Sequence, residues 1–234
     1  YECAEKLLFQ EFHNRLRIDN AQVLDHLPEG AFITVSNHPF GALDGITLIY
    51  LIGSRRPKFR VMVNMILNHI SGLRQNFIAV DPVPGKDPAK RARSVRGIRE
   101  AFSQLKAGQP LGFFPAGAMS KVNRRLRLQD REWQSSVLQI IYKAKVPVIP
   151  IFFHGSNSWF CNFLGVVCWP LRSLRIPAEV FFKNNKEIRV SVGNPISVAE
   201  QEANGANPQE LGAYLRKKTY DLRDNPVNPA PPTK

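Results

Sequence analysis

The chain has 234 residues, 44% of them hydrophobic, with a formal net charge of +13. That apolar content supplies a sizeable core and excludes a disordered polyelectrolyte, while the excess of cations directs the surface toward polyanions: nucleic acid, anionic lipid or an acidic carrier protein. Three cysteines, Cys3, Cys161 and Cys168, fit neither a disulfide framework nor a metal pattern and suit a reducing compartment. The five histidines lack metal-ligand spacing. No apolar run reaches the roughly 20 residues of a spanning helix.

In chain order, residues 1–18 show apolar residues among charges and predict a helix, within an N-terminal helical segment over 1–28. The run 31–36 reads as a buried strand. Asn37-His38-Pro39-Phe40-Gly41-Ala42-Leu43-Asp44 follows it and leads into a helix over 42–52 that ends at Gly53. A strand over 59–63, a short helix near 64–70 and a strand over 76–80 come next. The helix at 88–107 has Val95, Ile98, Phe102 and Leu105 at one-face spacing, Lys90, Arg93, Arg96 and Arg99 elsewhere, and Gly108 as its C-cap.

A strand over 110–114 then breaks at Pro115-Ala116-Gly117. A basic loop (Lys121, Arg124, Arg125, Arg127) precedes a helix near 132–144. Strands over 146–153 and 187–192 and a helix over 208–222, with Leu211, Leu215 and Leu222 inside, complete the pattern. The alternation predicts an α/β fold: a mostly parallel or mixed central sheet with helices on both faces. Residues 1–224 read as a single domain and 225–234 as a flexible proline-rich tail. In such a sheet ligands bind beyond the carboxyl ends of the strands, which places His38, Pro115-Ala116-Gly117 and His154-Gly155 on one rim.

His38 at a strand exit, with Asp44 about one helical turn later, suits a base and the group that orients it. Asn37 reads as a turn residue that steadies this loop. Trp159-Phe160-Cys161-Asn162-Phe163-Leu164 continues to Leu171 as the longest apolar stretch, equally suited to a lipid–water interface, the core or the lining of an acyl cleft.

Together these segments resemble the lysophospholipid acyltransferase (PlsC-type) family, and more closely its hemolysin-like branch. The residues that match are Asn37 through Asp44 as the His/Asp motif, Phe114-Pro115-Ala116-Gly117 as F-P-x-G, then Asp130-Arg131-Glu132-Trp133, Val146-Pro147-Val148-Ile149-Pro150 and Gly155-Ser156-Asn157-Ser158, in the family's order. The resemblance spans about residues 30–196. It implies a glycerolipid-acyltransferase-like fold and an O-acyltransferase of bacterial lipid biosynthesis. His38 and Asp44 would be catalytic. Asn37, Phe114, Pro115, Ala116, Gly117, Asn157 and Ser158 would bind substrate. Backbone N–H groups around Ala116-Gly117-Ala118 are candidates for an oxyanion site.

The chain departs from the family pattern in three places. Five residues, rather than four, separate His38 from Asp44. Ala116 stands where most members have Glu, and Asp81 where the family carries a phosphate-binding arginine. A carboxylate at that point repels a phosphate head group. The acceptor implied is therefore a lyso-aminolipid, a lyso-ornithine or lyso-glycine lipid, in which a 3-hydroxy fatty acid is amide-linked to an amino acid. No cofactor is implied beyond an acyl thioester on acyl carrier protein (ACP) or coenzyme A. The expected partners are acyl carrier protein, the lyso-lipid and an anionic membrane surface, with peripheral attachment at the cytoplasmic face of the inner membrane. The alternatives are a 1-acylglycerol-3-phosphate acyltransferase, a catalytically silent lipid-binding scaffold and a nucleic-acid-binding module. The last lacks aromatic ribonucleoprotein motifs, zinc-finger spacing and a helix-turn-helix pattern, so no specific nucleic acid is expected.

Overall fold

The computed structural model describes residues 1–64, 71–80, 87–122, 128–158 and 184–224. The expectations for the 159–171 apolar stretch, the 225–234 tail, Asp81, Arg124, Arg125, Arg127 and nearly all of the 64–70 helix fall outside these residues.

The chain opens with α1 (Glu2–Glu5), which runs into a π-helical stretch, Lys6–Glu11. It then forms a strand, β1 (Arg15–Asp19), where sequence predicted continued helix. The reason lies in the pairing: Arg15-Leu16-Arg17-Ile18-Asp19 alternates polar and apolar residues and lies parallel to a strand late in the chain. After a short 3-10 turn come β2 (Ile33–Ser36), α2 (Ala42–Gly53), β3 (Arg60–Asn64) and β4 (Phe77–Val80). Then follow α3 (Pro88–Lys106), β5 (Leu111–Phe113) and a small hairpin, β6 (Lys121–Val122) with β7 (Leu128–Gln129). The remaining elements are α4 (Ser135–Ala144), β8 (Val148–Phe153), β9 (Glu187–Val192), α5 (Val198–Asn204) and α6 (Pro208–Asp224).

The described strands build a seven-stranded sheet in the order β1-β9-β8-β2-β5-β3-β4. The five strands from β8 to β4 are mutually parallel. β9 is antiparallel to β8, and β1 runs parallel to β9. Every residue of β2 and of β8 is buried, as strands covered on both faces require. Alternation along β8 divides its side chains between two cores. Ile149, Ile151 and Phe153 pack with Leu48, Ile49 and Ile52 of α2, while Val148 joins Leu138 and Ile141 of α4 and Leu211 and Leu215 of α6. Helices therefore cover both faces, as the sequence pattern predicted.

On α3 Ala101 and Leu105 form the buried stripe, and Ile98 and Phe102 pack partly buried against the same core. Val95, expected on that face, is 48% exposed. At 3.6 residues per turn it lies roughly a quarter turn off the stripe. Gly108 does end the helix, with φ 71°.

α2 rests closely on the middle of the sheet because β5 has a glycine beneath it. A Cβ on Gly112 would stand 2.8 Å from Phe59 Cζ, 3.0 Å from Thr34 Oγ1 and 3.2 Å from Leu48 Cδ2. Gly112→Ala is expected to lower unfolding stability by about 1–3 kcal/mol through overpacking. The check is a lower urea midpoint at unchanged m-value; an unchanged midpoint would show that α2 has room to retreat.

Candidate active site

β2 and β8 are tied together just past their ends. Asn37 Nδ2 donates to the Phe153 carbonyl at 2.9 Å, and the Phe153 N–H donates to Asn37 Oδ1 at 2.7 Å. Asn37 is buried, and its amide extends the sheet by one rung, which is how it steadies the loop. His38 follows. Its carbonyl accepts the Ser120 N–H at 2.8 Å, and its own N–H donates to Asp130 Oδ1 at 3.2 Å. The imidazole stacks on Phe114, with ring centroids 4.2 Å apart and planes at 28°. The main chain and one ring face of His38 are thus held before any substrate arrives.

Asp44 occupies the first turn of α2 and is wholly buried, while the His38 side chain is 15% exposed. Asp44 Oδ2 lies 3.0 Å from His38 Nδ1 and accepts the N–H groups of Phe40 (2.9 Å) and Gly41 (3.0 Å). The contact has hydrogen-bond distance without the alignment of a full hydrogen bond. Such contacts commonly tighten when substrate binds. Gly41 adopts φ 85°, a turn open to glycine, and this turn absorbs the extra residue between His38 and Asp44. Burial pushes the Asp44 carboxyl above its ordinary value, while the His38 contact and the two N–H donors oppose the rise. The positive end of the α2 dipole acts in the same direction as those donors.

Phe114-Pro115-Ala116-Gly117 forms the exit turn of β5. The Gly117 N–H donates to the Phe114 carbonyl at 2.9 Å, and the Pro115 carbonyl accepts the Gln134 N–H at 2.8 Å. Gly117 has φ 64°, and a Cβ there would stand 2.0 Å from Gln134 Nε2. Its N–H closes the turn, which removes it from the expected oxyanion donors. Ala116 is buried with Trp133 and Val137 in the α4-side core, so this position offers no polar group to a substrate. Asn157 is buried and Ser158 half-buried past the exit of β8.

Asp130 does more than its sequence context signalled. It lies ahead of α4, whose N-cap is Gln134. Buried beside the His38 main chain, Asp130 accepts from the His38 N–H and the Ser120 hydroxyl. Its N–H donates to Tyr220 Oη at 2.9 Å, and its carbonyl accepts from Arg216 at 3.1 Å. The His38 loop is thereby fastened to α6. Burial raises the Asp130 carboxyl as well. A cavity of about 410 Å³ opens behind this loop, between the end of β8 and α6, with Asn37, Ser120, His154 and Tyr220 on its walls.

The fold and site define an α/β protein with an imidazole–carboxylate pair on the carboxyl rim of a mostly parallel sheet, an arrangement suited to moving a proton. The family model described as Acyltransferase matches residues 12–228. The lyso-glycine lipid O-acyltransferase of Bacteroides thetaiotaomicron is 30% identical over 207 residues, covering 85% of this chain and 73% of that protein. The lyso-glycine lipid O-acyltransferase of Phocaeicola vulgatus is 27% identical over 207 residues, covering 85% and 71%. The crystal structure of the 1-acyl-sn-glycerophosphate (LPA) acyltransferase PlsC from Thermotoga maritima has the same fold, with TM-score 0.63 and 15% identity over 98% of this chain and 81% of that one. The chain belongs to the acyltransferase family, and it is an acyltransferase.

The buried carboxyl sets a pH dependence of stability. Folded Asp44 holds its proton more tightly than the unfolded chain does, so protonation favours the fold. That contribution is full below the ordinary value of 3.8 and is lost as pH rises through the higher folded value. Asp44→Asn, which imitates the neutral form, should gain on the wild type across that rise. Paired urea melts from acid to neutral pH read the difference; a constant gap would contradict the raised value.

Proposed function

We propose that the protein transfers a fatty acyl group from an acyl-carrier-protein or coenzyme A thioester to the hydroxyl of a lyso-lipid, with His38 as general base and Asp44 as its orienting partner. The observation that carries this reading is the His38–Asp44 pair itself: a partly exposed imidazole, 3.0 Å from a buried carboxylate, on the ligand-binding rim of an acyltransferase fold. His38 Nε2 takes the acceptor's hydroxyl proton as the oxygen attacks the thioester carbonyl. The tetrahedral adduct collapses to the ester, and the sulfur leaves with the proton that His38 returns. Asp44 stabilises the imidazolium between the two transfers. The acceptor hydroxyl fills the place of a serine nucleophile. Ser120, whose N–H binds the His38 carbonyl, is buried and its hydroxyl donates to Asp130.

A lyso-aminolipid is the acceptor that fits best. Both curated relatives are named for a lyso-glycine lipid. Ala116 stands where most of the family has a Glu that contributes to the acceptor-binding site, and Asp81 where it carries a phosphate-binding arginine. No cofactor takes part in the chemistry. The exposed face of α3, with Arg91, Arg96, Arg99 and Lys106, suits an acidic carrier protein or an anionic leaflet, where each cation contributes about 1 kcal/mol. Among the described residues no helix is long and apolar enough to cross a membrane. Peripheral attachment at the cytoplasmic face of the inner membrane accords with that basic face.

The test supplies acyl carrier thioester with N-(3-hydroxyacyl)glycine, N-(3-hydroxyacyl)ornithine or 1-acylglycerol-3-phosphate and follows release of free thiol. Turnover is expected on the two aminolipids. His38→Ala should lower kcat by about 10²–10⁴-fold, and Lys217→Ala, on the solvent side of α6, should leave it unchanged. Retained turnover in His38→Ala would remove the base from the scheme. Faster turnover on 1-acylglycerol-3-phosphate would overturn the acceptor.

A further inference from the structure

We infer that the cavity at the exit of β8 is the acceptor's head-group site, and that it reads the amide of a lyso-aminolipid through His154 and Tyr220. This rests on the acceptor class proposed above and adds how that class is recognised.

The cavity has the right address. Asn37 is the chain neighbour of His38, and Ser120 donates its N–H to the His38 carbonyl, so one wall is the loop that holds the base. The opposite wall comes from Phe152 and His154 at the end of β8 and from Tyr220 and Arg223 of α6.

A buried relay fixes what His154 offers. The Ser191 hydroxyl donates to Asp19 Oδ2 at 2.8 Å, and the same oxygen accepts Arg189 Nε–H at 2.8 Å. Asp19 and Ser191 are both buried. With its proton committed to Asp19, Ser191 Oγ can only accept from His154 Nε2, 2.7 Å away. The hydrogen of the neutral ring therefore sits on Nε2, and Nδ1 keeps its lone pair. Nδ1 has no hydrogen-bond partner among the described residues and is not among the buried unpartnered atoms, so it is open to a ligand. Burial, then the charge of Arg189, keeps the ring neutral by lowering its pKa; Asp19 opposes this and Arg17 assists. Phe152 meets both the His154 and Tyr220 rings edge-on, at 5.0 and 5.5 Å, and fixes their positions.

Tyr220 offers the complement. Its oxygen accepts the Asp130 N–H, and its own proton has no acceptor among the described residues. Its pKa is pushed up to about 12, chiefly by burial, so it remains a donor. Arg223 adds no unbalanced charge, because Nε and one terminal nitrogen bind the two oxygens of Asp224 at 2.8 and 2.9 Å. Among the described residues the site offers one neutral acceptor and one neutral donor, which do not match a phosphate, a group that calls for uncommitted cations and several donors. They match a secondary amide, with its N–H toward His154 and its C=O toward Tyr220. In an N-(3-hydroxyacyl) amino acid the reacting hydroxyl is β to that carbonyl. The wall nearest the base is the Asn37 and Ser120 side, so the hydroxyl end of the acceptor is to face the His38 loop.

Two acceptors separate the contacts: N-(3-hydroxyacyl)glycine, and its ester counterpart on glycolate, which keeps the C=O and the carboxylate but lacks the N–H. His154→Phe should raise KM for the amide about five- to tenfold, the effect of one lost hydrogen bond, and leave KM for the ester unchanged. Tyr220→Phe should raise KM for both. For His154→Phe kcat should stay within about twofold, since the interaction is made equally in ground and transition states; Tyr220→Phe also takes the acceptor away from the Asp130 N–H, so its kcat falls as well. Thermal melts confirm that both variants fold, and if one does not, the other's pattern still decides. A His154→Phe effect equal for amide and ester, a loss confined to kcat, or no change in either variant overturns the head-group assignment. Wild-type protein that acylates 1-acylglycerol-3-phosphate and refuses both hydroxyacyl acceptors defeats the acceptor reading beneath it, a result distinct from unchanged KM in the variants.

Discussion

A carboxylate taken wholly out of water must be repaid by the groups around it, and around Asp44 that requirement shapes the whole rim. The Phe40 and Gly41 N–H groups close on Oδ2, which bends the chain back immediately after β2. That bend starts α2 and aims its positive end at the carboxylate. It also sets His38 Nδ1 against the same oxygen. The loop, the first turn of the helix and the orientation of the ring are one solution to one desolvation problem. Gly112 lets α2 lie close enough on the sheet for the solution to be geometrically available.

Asp130 plays the corresponding part on the other side of the loop. Where Asp44 holds the imidazole, Asp130 holds the main chain that bears it, through the His38 N–H and through Ser120. Tyr220 and Arg216 bind Asp130's own backbone. The base therefore stands between two buried carboxylates, one reached through α2 and one through α6, on opposite faces of the sheet. A site supported from both faces is stiff, which matters for a base that has to meet a hydroxyl and a thioester together.

Local pattern made part of this legible. The apolar runs of β2 and β8, the glycine turn between His38 and Asp44 and the leucine stripe of α6 each lie within a short window, and the structure places them as the sequence suggested. What escaped depends on distant partners. Arg15–Asp19 reads as helix until β9 is available to pair with it. Tyr220 looks like one more polar residue on an exposed helix, since its partner, Asp130, is 90 positions away. Sequence puts His154 on the rim but does not show its bond at Nε2, made to a serine whose own partner is Asp19. Val95 was misassigned for a simpler reason: its spacing fits a helix face, but the face actually buried is centred a fraction of a turn away.

The pairing of β1 with β9 has a consequence for how the molecule comes into being. Asp19 and Ser191 are 172 positions apart, yet they share a hydrogen bond and neighbouring strands. During synthesis β1 has nothing to lie against until β9 has left the ribosome. Closing so long a loop is slow relative to local helix formation. The five parallel strands can gather earlier, bringing His38 and Asp44 together, while the relay behind His154 must wait for the last edge to close. Birth order thus separates the two halves of the rim: the proton-moving pair matures first, and the pocket behind it is completed only when β1 and β9 meet.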